Sequence, residues 1–111
     1  MDLSKPCDVK DYEKISEETK DIDISILVNN AGVPGTDLLK DTNKDLMSSI
    51  VHVNAGAPTF LMWEFVHWLS TWPNWSLIIN VASFGGNVPL PRMALYGATK
   101  AYLRSLSLAL Y

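Results

Sequence analysis

The sequence has little cysteine and no concentration of positive charge. Cys7 is the one cysteine in 111 residues, which excludes an internal disulfide framework and is typical of a reducing compartment. His52 and His67 have no convincing set of further ligands at metal-binding spacing, so we predict no metal site. The formal net charge is -3 and no Lys/Arg cluster occurs, so nothing indicates nucleic acid as a partner.

The sequence also lacks the marks of a targeting or membrane segment. Its first residues have neither the basic nor the apolar region of a signal peptide. The most apolar stretch, 50–69, is about as long as a membrane span but contains histidine, asparagine, proline and glutamate. We therefore predict a buried or interface helix there and no membrane span. With 48% hydrophobic and 19% charged residues, the composition is that of one globular domain.

Hydrophobic periodicity predicts five elements. A polar segment with apolar residues at helical spacing predicts a helix over 10–20, and a β-branched run predicts a buried strand over 24–28. Thr42 and Asp45 form a capping-box pattern that predicts the start of a long helix. A second buried strand is predicted over 76–82 and a last helix over 93–111. This order is typical of an α/β fold with parallel strands.

Pro58 lies inside the predicted long helix. Because proline has no N–H, the carbonyl of Asn54, four residues earlier, loses its usual helical partner. We therefore predict an interruption of the helix at Pro58, with the Asn54 carbonyl free to bind a water or a ligand.

The segment 83–100 contains the residues with the clearest chemistry. Tyr96 and Lys100 are four residues apart, so they share a face of the last helix. A cation beside a phenol stabilises the phenolate, which is what an acid–base catalyst needs. Ser83 ends the second strand and is placed to hold the oxygen of a substrate carbonyl. Small residues in the helix, Gly97, Ala98 and Ala101, allow another segment to approach its backbone closely. This pattern predicts carbonyl reduction or alcohol oxidation.

Four motifs, taken together and in order, resemble the short-chain dehydrogenase/reductase family. They are the turn Asn29-Asn30-Ala31-Gly32 after a strand, Asn54 in the next helix, Ser83 at the next strand end, and Tyr96-x-x-x-Lys100. The segments ILVNNAG and LIINVASFGG are most similar to the hydroxysteroid dehydrogenase and 3-oxoacyl-CoA reductase branch. The resemblance implies part of a Rossmann-like, doubly wound parallel sheet in a three-layer αβα arrangement, with the fourth and fifth strands and their flanking helices.

The resemblance also implies a role for each catalytic group. Tyr96 would be the general acid in reduction of a small-molecule ketone, and Lys100 would stabilise its phenolate and bind the nicotinamide ribose. Ser83 would polarise the carbonyl. Asn54 would hold, through its main-chain carbonyl, a water that links Lys100 to solvent. The cofactor implied is NAD(P)(H), with NADP preferred in this branch.

Further residues would bind the cofactor. Asn30, Ala31 and Gly32 would line it near its ribose, where small side chains let the backbone approach. Asp8 and Val9 occupy the place of the acidic–apolar pair that contacts the adenine in the family. The helices that contain Asn54 and Tyr96 would form a homo-oligomer interface. The family implies an intracellular location, cytoplasmic or associated with the endoplasmic reticulum.

The family's glycine-rich, pyrophosphate-binding fingerprint has no match upstream of Asp8. Residues 1–111 are therefore expected to be an incomplete NAD(P)-binding domain, without the N-terminal glycine-rich unit and the C-terminal substrate region. Two readings stay open: an oxidoreductase sequence that needs further segments for activity, and a catalytically inactive remnant that associates through its long helices.

Overall fold

The computed structural model describes residues 1–5 and 8–110. Cys7, which was predicted to form no internal disulfide, and Tyr111, the predicted end of the last helix, lie outside the described residues. The regular elements are helix α1 (Val9–Thr19), strand β1 (Ile26–Asn29), helix α2 (Lys44–Val51), a π-turn (His52–Gly56), helix α3 (Ala57–Ser70), strand β2 (Leu77–Asn80) and helix α4 (Ala94–Ala109). Short 3₁₀ turns occupy Leu39–Asp41 and Phe84–Gly86. The predicted order of elements is confirmed.

The two strands pair in parallel and carry helices on one face. Ile26 pairs with Leu77, and Asn29 pairs with Asn80 at the carboxyl ends. Helix α3 packs on both strands and α4 on β2, while α1 packs on α3 and α2 on α4. On the other face the strand side chains are exposed: Ile26, Val28, Leu77 and Ile79. The α/β fold with parallel strands is confirmed, and the described residues form two of the three expected layers.

The cap of α2 differs from the prediction. Asn43, and not Thr42, is the N-cap: its backbone is extended and its side chain accepts a 2.7 Å hydrogen bond from the Leu46 N–H. The hydroxyl of Thr42 instead donates to the Leu38 carbonyl, 3.0 Å away. The capping box assigned to Thr42 and Asp45 was therefore wrong by one residue, because the Thr42 hydroxyl is engaged by the preceding 3₁₀ turn.

The interruption predicted at Pro58 takes the form of a π-turn. The Ala57 N–H bonds the His52 carbonyl five residues earlier, so the backbone widens between α2 and α3. Pro58 then lies in the first turn of α3, a position that tolerates proline, and the carbonyl of Asn54, four residues earlier, receives no N–H from it. The chain thus stays helical through the proline, and Asn54 lies inside the widened turn.

The core lies between the helices and the covered face of the sheet. Tyr12 of α1 is fully buried, stacks on Phe60 and is hydrogen-bonded to the His52 ring at 3.1 Å. The other buried apolar side chains include Ile50, Val53, Ala57, Met62, Phe65, Leu69 and Leu103. Over residues 1–5 and 8–110, none of the helices combines the length and apolarity needed to cross a membrane, and no three potential metal ligands cluster.

Candidate active site

Lys100 is a buried cation at the centre of the site. Its side chain projects from α4 and is 4% exposed. The Nζ atom donates a 2.7 Å hydrogen bond to the carbonyl of Val81, just beyond β2, and lies 5.8 Å from the centroid of the Tyr96 ring. Spacing of four residues on α4 therefore brings the ammonium and the phenol ring together, as the sequence predicted.

The glycine turn after β2 packs directly on the backbone of α4. A methyl group on Gly86 would lie 2.7 Å from the Lys100 carbonyl carbon and 2.8 Å from the Ala101 nitrogen. A methyl group on Gly97 would lie 2.7 Å from the Gly85 carbonyl oxygen. These distances are shorter than van der Waals contact, so glycine is needed on both sides. The small residues of α4 allow this turn to pack against the helix backbone. Ser83, which caps the turn, is thereby placed next to α4.

Ser83 and Tyr96 flank one spot beside Gly85. Ser83 has an extended backbone and caps the 3₁₀ turn, accepting a 3.3 Å hydrogen bond from the Gly85 N–H. A methyl group on Gly85 would lie 3.8 Å from both the Ser83 Oγ and the Tyr96 Cε1 atom, and 3.6 Å from a Leu90 methyl carbon. A hydroxyl donor and a phenol ring edge thus approach the same small volume at the carboxyl edge of the sheet.

Asn54 links the π-turn to the loop that follows β1. Its side chain is 1% exposed. The Oδ1 atom accepts from the Val33 N–H at 2.7 Å, and Nδ2 donates to the Val33 carbonyl at 2.9 Å and to the Thr99 hydroxyl at 3.2 Å. A methyl group on the neighbouring Gly32 would lie 3.5 Å from the Asn54 Oδ1 and 3.6 Å from the Lys100 Nζ. The loop, the π-turn and α4 therefore meet at this side chain.

The remaining predicted residues lie at two different places. Asn30 and Ala31 are exposed at the carboxyl end of β1, next to Gly32. Asp8 is the N-cap of α1 and forms a capping box with Asp11, and Val9 is exposed in the first turn of the same helix. The contacts described for Asp8 lie within α1, so its predicted contact with adenine stays a prediction.

Two amides at the strand ends join the strands to α4: Asn29, which the sequence placed in the turn after the first strand, and Asn80, which was missed. Asn29 is buried and donates through Nδ2 to the Asn80 Oδ1 at 2.8 Å, and the Asn80 Nδ2 donates to the Ser107 hydroxyl at 2.8 Å. Their signal in the sequence was an asparagine at the end of each apolar run.

Arg92 was also missed. It has a positive φ of 65°, and its Nε donates to the Thr36 carbonyl at 3.0 Å. This bond ties the loop before α4 to the loop after β1, although the conformation is uncommon for a residue other than glycine.

A family model described as short chain dehydrogenase matches residues 1–111. The chain belongs to the short-chain dehydrogenase family. Among similar proteins, a very-long-chain 3-oxoacyl-CoA reductase of Emericella nidulans is 35% identical over 99% of this chain and 32% of its own length. The hydroxysteroid dehydrogenase-like protein 1 of Gallus gallus is 33% identical over 90% of this chain and 30% of its own length. The predicted family and branch resemblance are confirmed.

A solved structure agrees with the family assignment. A short-chain dehydrogenase from Sphingobium yanoikuyae in complex with NADPH matches with a TM-score of 0.78 and 31% identity, over 98% of this chain and 42% of that one. This short-chain dehydrogenase chain spans about a third of the length of the curated relatives that it matches.

Proposed function

We propose that this chain carries the acid–base half of an NAD(P)(H)-dependent oxidoreductase that interconverts a secondary alcohol and a ketone. The observation that carries the proposal is the buried Lys100 ammonium beside the Tyr96 ring, at the strand edge where Ser83 also ends. The hydrogen bond described for this cation goes to a main-chain carbonyl and not to a carboxylate. Burying a charge in this way is costly, so its place beside a phenol is best explained by chemistry.

The residues around Lys100 fit the nicotinamide ribose. The ammonium has three N–H donors, and the hydrogen bond described for it uses one, on Val81. Gly32 has no side chain between the β1 loop and the Nζ atom, which leaves the backbone open on that side. Lys100 would donate to the ribose hydroxyls, and Asn30, Ala31 and Gly32 would lie along the same side.

Each side chain then has one part in the reaction. The nicotinamide, when bound, supplies the hydride. Ser83 donates a hydrogen bond to the substrate carbonyl oxygen and makes its carbon more electrophilic. Tyr96 gives its phenolic proton to the same oxygen as it becomes an alkoxide, and Lys100 stabilises the resulting phenolate. The main-chain carbonyl of Asn54, to which Pro58 offers no N–H, would hold the water that returns a proton.

The substrate class we propose is a lipid-like carbonyl compound, such as an acyl or steroid ketone. The Leu90 methyl group lies beside the Ser83 and Tyr96 spot, so the ketone would meet an apolar wall there. The names of the Emericella and Gallus relatives support this class. The NADPH complex of the Sphingobium enzyme supports a nicotinamide cofactor, and we propose NADP as the preferred one.

A groove between α2–α3 and α4 supports a second proposal, self-association. It has a volume of about 520 Å³ and an apolar lining that includes Val51, Phe60, Leu95, Ala98 and Tyr102. Two copies of the chain that pack these helices together would cover it. Analytical sedimentation of the chain should show a dimer, and Ala98→Arg should yield the monomer. If the unmodified chain is a monomer, self-association is excluded, and so is the hypothesis of an inactive remnant that associates through its long helices.

The enzymatic proposal is tested first by cofactor binding. NADPH fluorescence is titrated with the 111-residue chain, with Lys100→Met and with the control Lys14→Met, whose exposed lysine pairs with Glu18 on α1. We expect saturable enhancement that weakens about tenfold or more in Lys100→Met and is unchanged in the control. Equal binding by all three forms would contradict the assignment of Lys100.

The chemistry is tested by replacing the matching third of the Emericella reductase with this chain. The chimera should reduce a 3-oxoacyl-CoA with NADPH, and Tyr96→Phe should lower kcat about 100-fold or more, because proton transfer is lost. A folded chimera that binds NADPH but turns over no ketone would leave the remnant reading as the correct one.

A further inference from the structure

Thr99, which immediately precedes Lys100, has a hydroxyl at the junction of three segments. It is 5% exposed. Its Oγ1 donates to the Tyr96 carbonyl at 2.7 Å and accepts from the Asn54 Nδ2 at 3.2 Å. One hydroxyl is thus hydrogen-bonded both to the backbone of α4 at Tyr96 and to the Asn54 amide, which in turn is hydrogen-bonded to the loop after β1.

The hydrogen of this hydroxyl determines the direction of the whole chain of bonds. A threonine hydroxyl has a single hydrogen, and here it is directed to the Tyr96 carbonyl, so toward Asn54 the oxygen acts as an acceptor. The Asn54 side chain must therefore present Nδ2 to Thr99. Once Nδ2 faces that way, Oδ1 is left to accept from the Val33 N–H.

The loop position that results is the one the proposed site requires. Val33 is held at both its N–H and its carbonyl, which keeps Gly32 beside the Lys100 ammonium. Without an acceptor at position 99, one Asn54 N–H would be buried and unpaired. If the amide instead flipped, its Nδ2 would face the Val33 N–H, and two donors would meet.

We propose that Thr99 is a positioning residue of this site. It orients the Asn54 amide and, through it, holds the Gly32–Val33 turn against Lys100. The proposal rests on the proposed function only for the statement that this site binds a cofactor and a ketone. The hydrogen-bond chain itself is testable in the absence of cofactor.

The test is amide hydrogen exchange of the 111-residue chain by NMR, with Val33 as the probe and Leu103 of α4 as the internal reference. Thr99→Val should speed exchange at Val33 about tenfold or more and leave Leu103 nearly unchanged, because the lost acceptor is local. Thr99→Ser should restore protection at Val33. Thr19→Val is the matched control, because the hydrogen bonds described for the Thr19 hydroxyl go to carbonyls within α1.

Three results from the substituted chains would overturn the proposal. They are unchanged Val33 exchange in Thr99→Val, equal acceleration at Val33 and Leu103, and failure of Thr99→Ser to restore protection. Thr99→Ala provides a smaller hydroxyl-free variant if valine prevents folding. In the unmodified chain both Asn54 side-chain protons should be protected, and rapid exchange of either one would refute the proposal without any substitution.

NADPH titration of the same variants separates this proposal from the proposed function. Selective loss of Val33 protection in Thr99→Val, together with failure of the Emericella chimera to bind NADPH, would support the role of Thr99 and contradict the proposed function. NADPH binding with Val33 exchange unaffected by Thr99→Val would contradict the role of Thr99 alone.

Discussion

Replacing Gly86 by alanine should destabilise the protein through one defined collision. The added methyl group would lie 2.7 Å from the Lys100 carbonyl carbon and 3.0 Å from its oxygen. These are backbone atoms inside α4, so no side-chain rotation can relieve the overlap. The 3₁₀ turn must move away from the helix by about 1 Å to reach ordinary carbon–carbon separation.

The magnitude follows from two opposing terms. Overpacking of this kind costs about 1–3 kcal/mol of unfolding free energy. A Gly→Ala change also restricts the unfolded chain, which returns about 0.4–1 kcal/mol. The net loss should therefore be about 1–2 kcal/mol. Because m-values of small domains are about 1–3 kcal/mol/M in urea, the unfolding midpoint should fall by about 1 M.

The control is the neighbouring glycine. A methyl group on Gly85 would meet its nearest atom at 3.6 Å, an ordinary contact. Gly85→Ala should therefore leave the midpoint unchanged or raise it by up to about 0.5 M, because the unfolded chain is restricted in this variant as well. Urea unfolding followed by far-ultraviolet circular dichroism measures both variants. If Gly86→Ala were as stable as Gly85→Ala, the close packing of the turn on α4 would be refuted.

Two further predictions concern the strand ends and the π-turn. Asn80→Leu should lower the unfolding free energy by about 1–3 kcal/mol, because it leaves the buried Asn29 amide without its acceptor and Ser107 without its donor. Adding Asn29→Leu should recover part of that loss, and a double variant less stable than either single variant would contradict the pairing. Pro58→Ala should provide an N–H for the Asn54 carbonyl, so the new amide should be protected from exchange and the pH–rate profile of an active chimera should change. An unprotected amide at position 58, or an unaltered profile, would exclude the proposed water site at Asn54.

The sequence alone determined the order of elements and the partners within one helix. Apolar runs and helical periodicity are local properties, so both strands and the helices were predicted within a few residues. The pairing of Tyr96 with Lys100 depends only on the helical repeat, and the structure shows it as a ring-to-ammonium distance of 5.8 Å. The family resemblance depended on the residues of the motifs and on their order along the chain, and it was confirmed by the family match.

Tertiary structure decided which polar groups meet. Thr42 and Asn43 are both good helix caps, and the choice between them followed from the contact of Thr42 with the preceding turn. The side-chain bonds of Asn54 to Val33 and Thr99 span 21 and 45 residues of sequence, so no local pattern indicated them. The Asn29–Asn80 pair depends on the register of the strands.

The sequence therefore named the candidate site residues, and packing decided how they are held. Local propensities depend on neighbours along the chain, whereas the positions of Lys100, Ser83 and Asn54 depend on backbones brought together from distant segments. The glycine turn on α4 shows the difference: its composition was evident in the sequence, but the need for glycine appears only where a methyl group would lie 2.7 Å from another backbone.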